Sequence, residues 1–165
     1  MLHKAKKNNP DSIVVAAGCY VQTSEKEVLN DLSVDIVIGN DRKHDLVRLL
    51  EEYSLDSVND TVDDINDGKH DFEELFIDQT KEHTRAFIKV QDGCNQFCSY
   101  CIIPYARGRV RSRRFENVIA EVERLAANGF KEVVLTGIHL SSYGVDFEEA
   151  TGLLELIQAV NAVKA

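Results

Sequence analysis

The chain has 165 residues, a length that suits one domain or two small ones. Its 44% of hydrophobic and 28% of charged residues are typical of a globular protein. No apolar run approaches the ~20 residues that a membrane-spanning helix needs, and the basic start lacks the apolar core of a signal peptide. Three of the four cysteines crowd into residues 94–101, which suits a metal site better than a secreted disulfide framework. We therefore expect a cytoplasmic protein.

The net charge of −9 argues against nucleic-acid binding through overall charge, but the charge is unevenly distributed. Residues 51–82 are rich in aspartate and glutamate, with few lysines to oppose them. Residues 107–114 carry five arginines and no acidic side chain. Two surfaces of opposite charge are therefore expected.

The first half of the chain predicts alternating strands and helices. Residues 12–17 and 35–39 are short apolar runs, rich in branched side chains, that indicate two buried strands. Residues 4–8 are typical of the tail of a helix whose beginning is absent. Apolar strands that alternate with helices predict a parallel α/β unit.

Polar capping residues indicate where the other helices of this unit begin. Ser24 and Glu27 match a capping box at the start of a short helix that runs to about residue 32. Asp41 is expected to cap a second helix, which has one apolar face and ends near residue 53.

The second half repeats the α/β pattern after an acidic stretch. Residues 54–81 have weak periodicity and predict a solvated linker with at most one helical turn, the alternative being a flexible connection without function. The elements that follow are a strand at 85–90, a helix at 116–128, a strand at 132–136 and a helix at 152–163. Two βα units cannot close a barrel, so we interpret the sequence as a part of a larger protein.

The cysteines Cys94, Cys98 and Cys101 have the spacing C-x3-C-x2-C. Three thiolates on one short loop can each bind one iron of a cubane cluster and leave the fourth iron without a protein ligand. The amino and carboxylate groups of S-adenosylmethionine can occupy that iron, and the cluster then supplies radical chemistry. The loop follows a predicted strand directly, where βα proteins place their sites.

Two other readings of the cysteines remain open. A closed zinc site needs four ligands, and Cys19 or His139 could supply the fourth, although neither lies at the usual spacing of a zinc finger. Three buried cysteines without any ligand would fit so polar a loop poorly. Ligand softness and number favour the iron–sulfur cluster.

The residues around the cysteines resemble a known family. Tyr100, just before the last cysteine, completes the motif of the radical S-adenosylmethionine superfamily, and residues 98–113 (CSYCIIPYARGRVRSR) resemble its methylthiotransferases. Residues 136–144 (TGIHLSSYG) are similar to the subgroup that acts on threonylcarbamoyladenosine, and residues 16–22 (AAGCYVQ) resemble the end of the family's amino-terminal domain. The resemblance covers nearly the whole chain.

The resemblance implies a fold in three parts. Residues 1–55 would be the end of the amino-terminal parallel α/β domain of a methylthiotransferase. Residues 56–81 would be the acidic linker. Residues 82–165 would form the first two βα units of a radical S-adenosylmethionine core, which is a partial (β/α) barrel.

The resemblance also implies which residues bind the cofactors. The family carries two 4Fe–4S clusters, and the ligands of the radical-generating one would be Cys94, Cys98 and Cys101. Tyr100 and Gly137 would lie beside S-adenosylmethionine. Cys19 would match the last of three ligands to the second cluster, which holds the sulfur that is transferred. Because one cysteine cannot hold a cubane cluster, the chain is expected to be inactive alone.

The implied reaction adds a methylthio group to C2 of threonylcarbamoyladenosine at position 37 of tRNA, beside the anticodon. One S-adenosylmethionine would methylate a sulfur of the second cluster, and another would yield the radical that activates the adenine carbon. No acid–base catalytic side chain is assigned. The partners would be tRNA and a reducing electron donor, with no membrane involved.

The basic segment beside the cluster loop is a candidate RNA-binding surface. Its arginines are Arg107, Arg109, Arg111, Arg113 and Arg114. In an extended chain the residues at 109, 111 and 113 point to one side and form a ridge that can bind phosphates. The alternatives are a solvated surface run or an intramolecular partner for the acidic stretch. His139 follows a strand end and is a further site candidate, whereas Gly144 is expected to serve a turn.

Three functions compete on the sequence alone. The leading one is a radical methylthiotransferase that modifies tRNA. The second is an RNA-binding module without catalysis, stabilised by zinc or by a cluster. The third is a redox or iron sensor whose labile cluster controls a partner.

Overall fold

The computed structural model describes residues 2–53, 59–68, 70–74, 84–149 and 151–164. The chain divides into two compact units. The first unit comprises Met1–His70 and Tyr100–Gly108, and the second comprises Asp71–Ser99 and Arg109–Ala165. The domain boundaries expected at residues 55 and 81 stay a prediction.

A three-stranded parallel sheet forms the centre of the first unit. Its strands are β1 (Val15–Ala17), β2 (Ile36–Ile38) and β3 (Asn59–Thr61), with β2 in the middle. The first two strands lie within the apolar runs that predicted them. The third lies in the acidic stretch, where only a linker was expected. Backbone pairing with β2 holds it, and its sequence has no apolar run that would predict a strand.

The described residues of the same unit form five short helices. They are α1 (Leu2–Asn8), α2 (Cys19–Thr23), α3 (Glu25–Leu29), α4 (Leu46–Glu51) and α5 (Ile103–Arg107). The expected capping box is absent, because Ser24 precedes α3 without a side-chain capping bond. The prediction that Asp41 caps the next helix is also wrong. A 3-10 turn intervenes, α4 follows Asp45, and the carboxylate of Asp41 lies 3.0 Å from the His70 imidazole.

Apolar side chains pack on both faces of the central strand, as is typical of a parallel sheet. Side chains alternate between the two faces along β2. Val37 contributes to a cluster on one face that also contains Ala16, Val21, Val28 and Val34. Ile36 and Ile38 pack on the other face against Leu49 of α4.

A carboxylate ties α1 and α4 to this sheet. Asp35, just before β2, accepts hydrogen bonds from the Lys6 ammonium (2.9 Å), the Val14 N–H (2.6 Å) and the Tyr53 hydroxyl (2.9 Å). Burial of Asp35 opposes its ionisation, but the three donors outweigh burial and lower its pKa below the ordinary value of 3.8.

The lowered pKa of Asp35 makes the stability of the protein depend on acid. As the pH falls, Asp35 is protonated in the unfolded chain before it is protonated in the folded protein. Its contribution to the free energy of unfolding is therefore complete above pH 3.8 and is lost as the pH falls through the lower folded pKa. Asp35→Asn should remove this part of the pH dependence. Urea unfolding from pH 5 to pH 3 would measure it, and equal slopes in both proteins would contradict the assignment.

A mixed three-stranded sheet forms the second unit. The central strand β4 (Arg85–Asp92) pairs antiparallel with β5 (Arg111–Ser112) and parallel with β6 (Glu132–Gly137). Two helices accompany the sheet, α6 (Phe115–Ala127) and α7 (Leu153–Ala162). The parallel pair and both helices agree with the sequence analysis, whereas β5 was not predicted.

The core of the second unit lies on one face of its sheet. Alternate residues of β4, namely Ala86, Ile88 and Val90, face the helices. Against them pack Val118, Val122 and Leu125 of α6 and Leu156 of α7. The mixed α/β architecture agrees with the α/β class that the sequence predicted. Among the described residues, no helix is long and apolar enough to cross a membrane.

Candidate functional site

The cysteine loop starts where the central strand of the second unit ends. After Asp92 the backbone turns at Gly93, whose φ is +71°, and Cys94 follows. Cys94 is half-buried and Cys98 is exposed. This position, past the carboxyl end of a parallel strand, is where α/β proteins bind ligands.

Two contacts from residues 109–110 hold the loop in shape. Phe97 has a positive φ of 49°, which is unfavourable for a residue other than glycine. The guanidinium of Arg109 lies over its ring, 4.4 Å from the centroid, as a cation–π contact. The side-chain oxygen of Asn95 accepts a hydrogen bond from the Val110 N–H at 3.1 Å. The turn between the first two cysteines is therefore supported by the side chain of Arg109 and the backbone of Val110.

The end of β6 adjoins the start of this loop. Gly137 pairs in register with Gln91 of β4. Gln91 is buried, and its side-chain oxygen accepts the backbone N–H of His139 at 2.7 Å. The imidazole of His139 has a local partner, since its Nδ1 lies 2.6 Å from the Ser142 hydroxyl. Gly137, the predicted cofactor neighbour, is thus beside the strand that leads into the cluster loop.

A buried carboxylate supports the loop from the same strand. Asp92 accepts the Gly93 N–H at 2.9 Å and the Lys89 ammonium at 2.9 Å. The guanidinium of Arg111, which is buried, approaches the same carboxylate at 4.0 Å. This arginine therefore faces a carboxylate inside the protein rather than solvent.

Arg113 is the most deeply enclosed of the arginines, with a side chain 2% exposed. Its guanidinium forms ion pairs with Glu121 of α6 and with Glu74 of the acidic stretch, the second at 2.6 Å. Glu74 also accepts a hydrogen bond from the Asn117 amide at 2.9 Å. Glu74 of the acidic stretch is thus held against α6 within the second unit.

The arginines do not form the exposed ridge that alternation predicted. Arg111 lies in β5, which pairs with β4, and is buried beside the Asp92 carboxylate. Arg113 follows β5 and is buried between the carboxylates of Glu74 and Glu121. This arrangement matches the alternative of an intramolecular partner for the acidic stretch. Arg109 and Arg114 are exposed and Arg107 is half-buried, so the RNA-binding prediction now concerns these three.

Besides Arg107, three predicted site residues lie in the first unit. Tyr100 is 91% exposed, and Cys101 is half-buried with a free thiol. Cys19, at the start of α2, is also a half-buried free thiol. The amide nitrogen of Asn40 lies 3.8 Å from its sulfur and donates to the Ala106 carbonyl at 2.5 Å.

The donor chemistry of the cysteines fits an iron–sulfur cluster. The cysteines of the triad all carry free thiols that are at least partly exposed, as an incoming cluster requires. Within the described ranges, the structure gathers no three histidine, cysteine, aspartate or glutamate side chains into a metal site. The ligand assignment therefore rests on residue type and spacing.

Comparison with protein families defines the class. The family model described as the Radical SAM superfamily matches residues 88–161, from β4 to the end of α7. This segment contains the cluster loop and Gly137. Membership of that superfamily implies a 4Fe–4S cluster and S-adenosylmethionine.

The curated relatives define the family more closely. The chain is 44% identical over 161 residues to the threonylcarbamoyladenosine tRNA methylthiotransferase MtaB of Aquifex aeolicus (strain VF5), covering 95% of the chain and 39% of that protein. It is 39% identical to the protein of the same name from Bacillus subtilis (strain 168), covering 99% of the chain and 37% of that protein. It is 36% identical to the tRNA-2-methylthio-N(6)-dimethylallyladenosine synthase of Thermoanaerobacter sp. (strain X514), covering 99% and 35%.

These matches confirm the resemblance that the cysteine loop suggested. Residues 88–161 match the Radical SAM superfamily, and the chain is similar over 95% to 99% of its own length to these three relatives. It spans between 35% and 39% of the length of these three relatives.

Some residues of the site could not be found from the sequence alone. Gln91 lies between Val90 and Asp92 at the end of an alternating strand, and nothing in the sequence distinguishes it from the other polar residues there. Glu74 belongs to a stretch of many carboxylates, and nothing in the sequence distinguishes it from its neighbours. Asn40 follows a strand end as many loop residues do.

Proposed function

We propose that the chain is the part of a tRNA methylthiotransferase that binds S-adenosylmethionine and the radical-generating cluster. The acceptor would be C2 of threonylcarbamoyladenosine at position 37 of tRNA. Two observations support this acceptor: the names of the two relatives at 44% and 39% identity, and the TGIHLSSYG sequence at the end of β6. Relatives named for dimethylallyladenosine match at 36% to 38% identity.

The position of the cluster loop carries this proposal. Cys94, Cys98 and Cys101 would hold three irons and leave one for S-adenosylmethionine. Gly137 ends the strand parallel to the one that leads into the loop, so its backbone is available to a ligand at the same sheet edge. Tyr100, which is exposed, is the proposed second contact of that ligand. When bound, the cluster and S-adenosylmethionine supply a carbon-centred radical.

We further propose that Cys19 is a ligand of a second cluster. Once the triad is assigned, Cys19 is the only remaining thiol of these 165 residues. A second cubane therefore needs ligands from elsewhere. The chain alone would bind S-adenosylmethionine but would not transfer sulfur. The Asn40 amide, 3.8 Å from the Cys19 sulfur, would orient this thiol.

The proposed macromolecular partner is tRNA. Arg109 and Arg114 are exposed on the second unit, and Arg107 is half-buried on the first. Guanidinium groups bind phosphates bidentately, and such contacts make binding dependent on salt. With Arg111 and Arg113 enclosed, fewer phosphate contacts are expected from this segment than its sequence suggests.

Anaerobic reconstitution with iron and sulfide tests the radical site. We expect about four irons per chain, and an electron paramagnetic resonance spectrum of the reduced protein that changes when S-adenosylmethionine is added. Cys98→Ala should abolish both, since two thiolates do not retain a cubane. Ser99→Ala, a change at the neighbouring residue that is not a ligand, should keep both.

The other outcomes identify the competing functions. One zinc per chain, with no response to S-adenosylmethionine, would replace the proposal by a structural metal module that binds RNA. A stable cluster whose spectrum ignores S-adenosylmethionine would point to a sensor instead. Equal iron content in Cys98→Ala and Ser99→Ala would remove the triad assignment.

A further inference from the structure

Gln91 is a fully buried polar residue at the end of the central strand of the second unit. The register between β4 and β6 shifts between Lys89 and Gln91, as at a β-bulge. Bulges re-aim side chains, and they are frequent beside active sites. Here the shift leaves Gln91 paired with Gly137, one strand end against the other.

The amide of Gln91 connects two loops. Its nitrogen donates to the carbonyl of Asp92 at 2.7 Å and to the carbonyl of Gly93 at 2.8 Å, at the start of the cluster loop. Its oxygen accepts the backbone N–H of His139 at 2.7 Å, in the loop that follows β6. The amide nitrogen and the amide oxygen of the buried Gln91 therefore both form hydrogen bonds with backbone groups.

Gly137 leaves the space that this side chain needs. A methyl group at Gly137 would lie 3.0 Å from both the Cβ and the side-chain oxygen of Gln91, and 3.1 Å from its carbonyl oxygen. These distances are too short for ordinary carbon contacts. The glutamine and the glycine therefore fit each other, and a change in either one displaces the other.

We propose that Gln91 is a positioning residue that fixes the start of the cluster loop relative to the loop after β6. Its side chain is the direct hydrogen-bonded link between the Asp92 and Gly93 carbonyls and the His139 N–H. On the proposed function, on which this consequence rests, the link sets the position of Cys94 relative to the backbone at Gly137 that S-adenosylmethionine approaches. Gln91 itself does not contact the reacting atoms.

Two substitutions separate the halves of this link. Gln91→Met has a similar length and makes none of the three hydrogen bonds. Gln91→Glu keeps an acceptor for the His139 N–H and loses at least one of the two donations to the cluster loop. Asn117→Ala is the matched control, because it removes one partly buried hydrogen bond (2.9 Å, to Glu74) of the same unit on α6.

Amide hydrogen exchange on the chain without a cluster tests the link directly. Gln91→Met should accelerate exchange in residues 92–98 and 138–142 together, whereas Gln91→Glu should accelerate it in 92–98 alone. Asn117→Ala should change neither segment. Unchanged exchange in Gln91→Met would overturn the proposal. Faster exchange throughout the unit in both Gln91 variants, α6 included, would also overturn it, because Gln91 would then be a general stability residue.

Binding of S-adenosylmethionine to the reconstituted chain tests the consequence. Gln91→Met should bind about tenfold more weakly than the parent, because three hydrogen bonds are lost, whereas Asn117→Ala should bind as the parent does. Equal affinity of Gln91→Met and the parent would overturn the positioning role and leave the proposed function standing. If Gln91→Met accelerates exchange in both segments but the parent chain binds no S-adenosylmethionine, the link would be supported and the proposed function rejected.

Discussion

Replacement of Arg113 by alanine is expected to lower the free energy of unfolding by about 3–5 kcal/mol. The side chains of Arg113 and Glu121 are 2% and 3% exposed, so their ion pair is shielded from water. Removal of the guanidinium leaves the Glu121 carboxylate buried without its partner and also releases Glu74. The cost of a buried, uncompensated charge is what makes the effect large.

Urea unfolding with Arg114→Ala as the control would measure this cost. Arg114 is exposed next to Arg113 in the chain, and its loss should change the free energy by less than about 0.5 kcal/mol. Arg113→Met combined with Glu121→Leu should recover most of the stability, since an apolar pair of similar volume avoids desolvation of charge. A loss below about 1 kcal/mol for Arg113→Ala would be typical of a surface arginine and would restore the ridge hypothesis.

The contacts of Glu74 also change how the acidic stretch is interpreted. Residues 71–74 belong to the second unit, where Glu74 binds Arg113 and Phe72 lies under the Lys89 ammonium at 5.0 Å. The Glu74 carboxylate, together with that of Glu121, neutralises the buried Arg113. Composition alone predicted a solvated linker, because composition does not record which charge meets which partner.

The elements that the sequence predicted are those with a strong period. Strands β1, β2, β4 and β6 appear as apolar runs or alternations, and helices α6 and α7 as apolar positions at helical spacing. Strands β3 and β5 were not predicted, because they are short and have no apolar period. They have three and two residues, and backbone pairing with a neighbouring strand holds them. Such pairing leaves no pattern in the side chains.

The candidate site divides in the same way. Cysteine spacing and the glycine at the next strand end are local signals. The structure places Cys94 just past the end of β4 and Gly137 at the end of the neighbouring β6. The burial of Arg113, by contrast, depends on the carboxylates of Glu74 and Glu121, which lie 39 and 8 positions away in the sequence. Alternation predicts two sides of a strand, but it does not predict what covers each side.

Gly144 shows how a motif residue can serve the fold rather than a ligand. Its φ is +83°, in the left-handed region, and its N–H donates to the Ser112 hydroxyl at 2.8 Å. A methyl group at this position would overlap the carbonyl oxygen of Thr151, which is backbone and cannot rotate away. The glycine therefore allows the turn to pass directly beside the residues that precede α7.

Gly144→Ala is expected to lower the free energy of unfolding by roughly 3 kcal/mol. About 1–2 kcal/mol comes from the left-handed backbone, and a further 1–3 kcal/mol or so from the steric overlap. Gly129→Ala isolates the two causes, because Gly129 has a φ of +89° and open space where its methyl group would lie. Urea unfolding of both variants should therefore show the larger loss for Gly144→Ala. Equal losses would mean that the backbone near Thr151 yields easily, and the glycine of the TGIHLSSYG sequence would then need an explanation other than packing.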